Sequence, residues 1–93
     1  MSKMDDKFYD RADAHIHLSN QQVSNSSIGK VSASMMYSVA RFNAWVSACG
    51  FESSIEMKDA KQETIKYFVS EYEKMLSENL DDYIKNYDDY MEK

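Results

Sequence analysis

Proline is absent from all 93 residues of the chain, and its only glycines are Gly29 and Gly50. Because proline and glycine are the strongest breakers of regular structure, a long helix in this chain meets few residues that would end it. No segment alternates apolar and polar positions with the β-branched content that is typical of a strand. These features predict an all-α protein that folds as a single domain over residues 1–93.

Apolar residues recur every three or four positions in three stretches, residues 6–24, 28–49 and 55–91. This spacing predicts three helices. A polar loop at 24–27 separates the first two helices. Gly50 and a Ser53–Glu56 capping box separate the second from the third. Because short connections favour antiparallel neighbours, we expect a three-helix antiparallel bundle with a long C-terminal helix. The apolar stripe expected to form the core of the second helix comprises Val31, Met35, Val39, Phe42, Val46 and Cys49.

The predicted third helix is too long for its neighbours. Residues 55–91 would measure about 55 Å as one helix, whereas the other two would measure only about 30 Å. Either this helix breaks near residues 77–79 and folds back as a fourth helix, or its second half packs against another copy of the chain. Apolar residues that recur seven apart in its last two heptads favour packing between helices. This candidate interaction surface, the C-terminal seam, consists of Leu80, Tyr83, Ile84, Tyr87, Tyr90 and Met91.

Composition excludes several functional classes. Eleven basic residues are scattered among sixteen acidic ones, for a net charge of −5, which argues against binding to nucleic acid. No apolar run approaches the roughly 18 residues that a membrane-spanning helix needs. Cys49 is the only cysteine, so no disulfide can form within the chain, and the first ten residues are polar. We therefore expect a cytoplasmic protein without membrane contact.

No motif indicates catalysis or a cofactor. His15 and His17 are two residues apart and therefore point in opposite directions on a helix, and two ligands are too few for a zinc site. We expect one of them to pack and the other to lie near Asp13. Cys49 belongs to the apolar stripe, where a thiol is inert. The sequence therefore predicts no catalytic residue, no metal and no cofactor, and a protein that is not an enzyme.

One group of polar and aromatic residues lies within the largely apolar second helix, namely Tyr37, Arg41 and Trp45. A buried arginine requires a partner, which the first or third helix could supply as a carboxylate. Alternatively, the three side chains line a small pocket for an anion or a peptide. The sequence leaves both interpretations open.

Five segments together resemble a family of short proteins, found mainly in proteobacteria, that is known only as a domain of unknown function. They are residues 8–16 (FYDRADAHI), 29–37 (GKVSASMMY), 40–45 (ARFNAW), 50–53 (GFES) and 78–84 (ENLDDYI). The resemblance extends over nearly the whole chain. It implies a bacterial, cytoplasmic, stand-alone helical protein and carries over no reaction, ligand or catalytic residue.

Two functional hypotheses follow. The first is a non-catalytic helical protein–protein interaction module that acts as a homo-oligomer, most simply a homodimer, through the C-terminal seam. The second is a small-ligand-binding or enzyme-accessory domain that uses Tyr37, Arg41 and Trp45.

The all-α prediction is open to direct measurement. Far-ultraviolet circular dichroism should give a helix content well above the roughly one-third that is typical of globular proteins. A substantial strand signal would contradict it.

Overall fold

A computed structural model describes residues 5–93, and these residues form five helices and no strand. The helices are α1 (Phe8–Val23), α2 (Ile28–Cys49), α3 (Ser54–Asp59), α4 (Lys61–Lys85) and α5 (Tyr87–Met91). The all-α prediction is therefore confirmed. None of the helices in residues 5–93 combines the length and the apolar character that crossing a bilayer requires.

The chain divides into two compact units, one that ends at Val46 and one that begins at Ser47. In the first unit, α1 and α2 follow each other across the short turn at 24–27. The Ser19 hydroxyl donates a hydrogen bond to the Met35 sulfur at 3.4 Å, so side chains of the two helices are in contact. Val31 in α2 is the only buried hydrophobic residue of the described chain, with 6% of its surface exposed. Burial between the two helices is therefore confined to a narrow line.

The apolar stripe of α2, which the sequence predicts to be the core, is mostly exposed. Val39, Phe42, Val46 and Cys49 all lie on the surface, whereas Met35 is half-buried. Two helices in contact cover only the side chains along their line of contact, and the remainder of a wide apolar stripe needs another element. The sequence identified the apolar stripe, but the prediction that these four residues form the core is wrong.

The second unit begins with the predicted capping box at the start of α3. The backbone N–H of Glu56 donates to the Ser53 hydroxyl at 3.1 Å, which confirms the first half of the box. The Glu56 carboxylate accepts a hydrogen bond from the backbone N–H of Glu52 at 2.9 Å. Both bonds satisfy amide groups that would otherwise lack a partner at a helix start.

The predicted third helix is neither continuous nor broken near 77–79. Ala60 separates α3 from α4, and α4 then runs without interruption through residues 77–79. The Asn79 side chain donates a hydrogen bond to the Met75 carbonyl, one turn earlier in the same helix, at 2.8 Å. The break occurs at Asn86, whose side chain donates to the Asp82 carboxylate at 2.9 Å. Helix α4 alone measures about 37 Å.

Helix α4 carries an exposed apolar side along its length. Ile65, Tyr72 and Leu76 follow one another at helical spacing, and each leaves between 43% and 48% of its surface exposed. The other sides of the helix carry acidic residues, among them Glu71, Glu78 and Asp81. The helix is therefore amphipathic, and its apolar side has room for another helix.

Two valines of α2 provide a matched test of this burial pattern. Val31→Ala should lower the free energy of unfolding by about 1–2 kcal/mol, because it removes buried methyl groups. Val39→Ala should change it by less than about 0.5 kcal/mol in dilute protein, because Val39 is 47% exposed. Urea denaturation of both variants measures the difference. Equal losses would show that α2 has a different buried side.

Candidate functional site

The first candidate surface lies on α2 and is called here the aromatic face. It is an open groove of about 570 Å³. Its lining residues are Tyr37, Ser38, Arg41, Phe42, Ala44 and Trp45. All six come from a single helix. The structure therefore brings together Tyr37, Arg41 and Trp45, the three residues that the sequence singled out.

The groove is too open to be a pocket for a small molecule. Tyr37 is 69% exposed and Trp45 is 61% exposed. Binding sites for small molecules usually enclose most of the ligand between several elements. Arg41 is exposed as well, so the prediction of a buried structural ion pair at this residue is wrong. An exposed guanidinium needs no partner within its own fold, because water solvates it.

Sequence reasoning missed Phe42 as a member of this surface. It was assigned to the core, yet it is 61% exposed, and its ring centroid lies 5.5 Å from that of Trp45. The signal was available in the spacing, because residues three apart on a helix are neighbours. The spacing of Phe42 fits both the apolar stripe and the aromatic face. Periodicity alone therefore assigned this residue to the stripe.

The second candidate surface is the C-terminal seam, which extends over the end of α4 and over α5. Its six residues are all exposed, from 47% for Tyr90 to 74% for Ile84. Leu80, Tyr83 and Ile84 belong to α4, whereas the other three belong to α5. The break at Asn86 therefore divides the seam into two halves.

A cluster of hydrogen bonds joins the two halves of the seam. The Tyr90 hydroxyl donates to the Asp82 carboxylate at 2.8 Å, and the Asn86 side chain donates to the other oxygen of the same carboxylate. The rings of Tyr83 and Tyr90 lie 4.6 Å apart and are tilted by 46°. The carboxylate of Asp82 thus holds α5 against the last turns of α4. Asn86 was a sequence signal for this helix end, because asparagine is common at helix ends.

The same contact affects the ionisation of Tyr90. Its hydroxyl donates a hydrogen bond to Asp82, and the negative charge of that carboxylate opposes formation of a phenolate. Both effects raise the pKa of Tyr90 above its ordinary value of 10.0. The hydrogen bond therefore contributes to stability at and below pH 10, and that contribution is lost as the pH rises through the raised pKa.

The histidines and the cysteine do not form a site. His15 and His17 are both exposed on α1, so the expectation that one of them packs is wrong. The His17 Nε2 atom lies 3.4 Å from the Gln21 side-chain nitrogen. Cys49 is exposed at the end of α2. Nowhere in residues 5–93 do three or more His, Cys, Asp or Glu side chains form a group that could hold a metal ion.

A comparison with protein families supports the resemblance noted in the sequence. The model of a family described as "protein of unknown function (DUF3144)" matches residues 8–84. The chain belongs to this family.

The DUF3144 match includes the whole aromatic face and the α4 half of the seam, Leu80, Tyr83 and Ile84. The α5 half lies beyond the matched residues. No curated protein and no solved structure shows significant similarity to the chain.

Removal of the Tyr90 hydroxyl should loosen α5 without disturbing α4. Tyr90→Phe eliminates the hydrogen bond to Asp82, so NMR backbone shifts of residues 87–91 should move toward random coil at neutral pH. The wild-type chain should show the same change only above pH 10, when Tyr90 ionises. Tyr87→Phe is the matched control, since it removes a hydroxyl from the same helix. Helical shifts that persist in Tyr90→Phe would show that the bond does not hold α5.

Proposed function

We propose that this protein is a non-catalytic helical interaction module that acts as a homodimer, and that the C-terminal seam is its self-association surface. The observation that carries the proposal is the exposure of all six seam residues on helices whose remaining apolar residues are also largely uncovered. Contiguous apolar patches of a few hundred Å² on a folded protein usually mark contact sites.

The shortage of burial supports association over a solitary chain. Val31 alone is buried among the hydrophobic residues that the structure describes, while the exposed ones include Trp45, Phe42 and five tyrosines of the second unit. Apolar burial is the main favourable term in folding, and most of the stability of helices in proteins comes from packing of their apolar sides. A second copy would supply the apolar surface that the described helices lack.

The antiparallel helix bundle expected from the sequence belongs to the same proposal. Helices α1, α2 and α4 each carry an apolar side, and packing of such sides is the usual way in which helices form a bundle. We expect the bundle to be complete only in the dimer, where α4 of each protomer gains a neighbour.

The proposed role requires no chemistry beyond binding. The contact between Tyr90 and Asp82 lies on an exposed part of the seam, and residues 5–93 contain no group of three or more His, Cys, Asp or Glu side chains that could hold a metal ion. The cytoplasm is the proposed location, because a small chain with a single cysteine suits a reducing interior.

The second hypothesis, a domain that binds a small ligand, is supported by the groove on α2. Arg41 lines the groove together with Tyr37 and Trp45, each four residues away on the same helix, and a guanidinium can hold an anion or a peptide carboxylate. The openness of the groove favours a macromolecular partner over a small molecule, so this hypothesis ranks second.

Substitutions in the seam test the dimer. Leu80 and Tyr83 are about half exposed, so each of Leu80→Gln and Tyr83→Gln should forfeit about half of the roughly 1.5–3 kcal/mol of a full burial, and a symmetric dimer loses this twice. The dissociation constant should therefore rise by a factor on the order of 10 to 10². Light scattering over a dilution series measures the mass, and circular dichroism measures the helix content of each variant.

Glu78→Gln is the matched control for these variants. Residue 78 is two positions from Leu80, so its side chain points away from the seam, and this variant should dimerise like the wild type. A chain ending at Lys85 should dimerise more weakly, because it lacks the α5 half of the seam. A full-length protein that stays monomeric at high micromolar concentration would refute the dimer.

A further inference from the structure

We infer that α2 carries a second interaction surface, which binds an acidic amphipathic helix of another protein. This surface, called here the cationic strip, consists of Lys30, Tyr37, Arg41 and Trp45. All four residues belong to the first unit, whereas the C-terminal seam belongs to the second unit. The inference therefore goes beyond the proposed dimer and does not depend on it.

Helical spacing aligns the residues of the cationic strip. Lys30 and Arg41 are eleven residues apart, so they lie within about 20° of each other around α2 and about 16 Å apart along its axis. Tyr37 and Trp45 lie one turn to either side of Arg41. All four side chains are exposed. The strip is therefore a straight line of two cations and two aromatic rings that a partner can reach.

The cationic strip lies on a different side of α2 from the contact with α1. Met35 contacts Ser19 of α1, and Val31 is the buried residue of α2. Both Met35 and Val31 point at least about 80° away from Arg41 around the helix. A partner can therefore bind the strip without displacing α1.

The distribution of charge selects an acidic partner. Residues 14–51 contain no acidic residue, although the rest of the chain contains sixteen. The cationic strip lies within this segment, so α2 has no carboxylate that would repel an incoming carboxylate. Complementary charge steers a partner toward such a surface and disfavours partners of like charge.

Burial of the strip requires carboxylates from the partner. A cation that loses its water without gaining an ionic partner costs free energy, whereas a carboxylate can bind a guanidinium through two parallel hydrogen bonds. Side chains that dominate binding energy are enriched in Trp, Tyr and Arg, and the strip presents one of each. The rings can pack on apolar side chains of the partner while the cations pair with its acidic residues.

The geometry of the strip favours a helix as the partner. A helix with carboxylates eleven residues apart reproduces the spacing of Lys30 and Arg41, because both helices rise about 1.5 Å per residue. Its apolar side chains between the two carboxylates then face Tyr37. One helix on the strip buries less than the roughly 1,600 Å² of a standard interface, so we expect reversible binding in the micromolar range.

An anionic membrane surface fits the strip less well than an acidic helix does. Basic clusters that bind such surfaces usually hold roughly four to eight Lys and Arg residues. The cationic strip holds two. Two cations about 16 Å apart match discrete carboxylates better than they match a continuous layer of charge.

Two synthetic helical peptides serve as probes of the full-length protein. Neither contains tryptophan, and both have leucines along one side. The first has glutamates at two positions eleven residues apart on that side, and the second has lysines there. Trp45 is the only tryptophan of the chain, so its emission should shift to shorter wavelength when the glutamate peptide binds. The glutamate peptide should bind about tenfold more tightly than the lysine peptide. No shift at millimolar glutamate peptide would overturn the inference.

Charge reversal in the strip tests the pairing. Arg41→Glu should abolish the preference for the glutamate peptide, because one cation and one anion then remain in the strip. The double variant Lys30→Glu/Arg41→Glu should reverse the preference and bind the lysine peptide about tenfold more tightly. Circular dichroism verifies that each variant keeps its helix content. A preference for the glutamate peptide that persists in the double variant would overturn the inference.

Lys66→Glu is the matched control for net charge. It makes the same change of charge as Arg41→Glu but lies on α4, in the second unit. It should leave the dissociation constant of the glutamate peptide within about twofold of the wild type, because salt screens distant exposed charges. Equal losses in Lys66→Glu and Arg41→Glu would reflect net charge alone, and the inference would be wrong.

Two further measurements test other occupants of the strip. Phosphatidylserine vesicles should leave the emission of Trp45 unchanged, and so should concentration of the protein through the range in which light scattering shows a dimer. A shift with vesicles in place of the glutamate peptide would assign the strip to a membrane and overturn the inference. A shift that accompanies dimerisation would assign it to a second copy, which overturns the inference and leaves the proposed dimer intact.

Discussion

Apolar burial is the interaction on which any helical fold of this size depends, and the described chain achieves little of it. Val31 is the single buried hydrophobic residue in residues 5–93, and the helices are otherwise held by backbone hydrogen bonds and local caps. Hydrogen bonds exchanged with water contribute only modestly to net stability. We propose a dimer because association would remove exposed tyrosines and aliphatic side chains from water.

In a chain without proline, side-chain hydrogen bonds mark two of the helix boundaries in the second unit. Ser53 and Glu56 begin α3, whereas Asp82, Asn86 and Tyr90 mark the step from α4 to α5. Each is a local contact between residues at most eight positions apart. The shape of the C-terminal surface therefore depends on contacts between residues that are close in sequence.

The sequence predicts where most of the helices begin and end. It does not predict which side chains of those helices are buried. The period of apolar residues located α1 and α2 within two residues of their observed ends, because periodicity depends only on the chain itself. The break at Ala60 carries no local signal, since alanine is the best helix former. Periodicity also placed Val39 and Phe42 on an apolar stripe but cannot tell which element covers that stripe. Three members of the aromatic face, Tyr37, Arg41 and Trp45, were recognised as a group in the sequence, whereas the openness of the groove became evident only in three dimensions.

The unbroken course of α4 through residues 77–79 constrains how its length can vary. Residues on a helix are related by about 100° of rotation, so insertion or deletion of one residue between Ile65 and Leu76 would turn Leu80 and Tyr83 out of line with the apolar side before them. Insertions or deletions of seven residues would keep Leu80 and Tyr83 on the apolar side, and those of three or four residues would nearly do so. The length of α4 therefore determines both how far the seam lies from α3 and in which direction around the helix axis the seam faces.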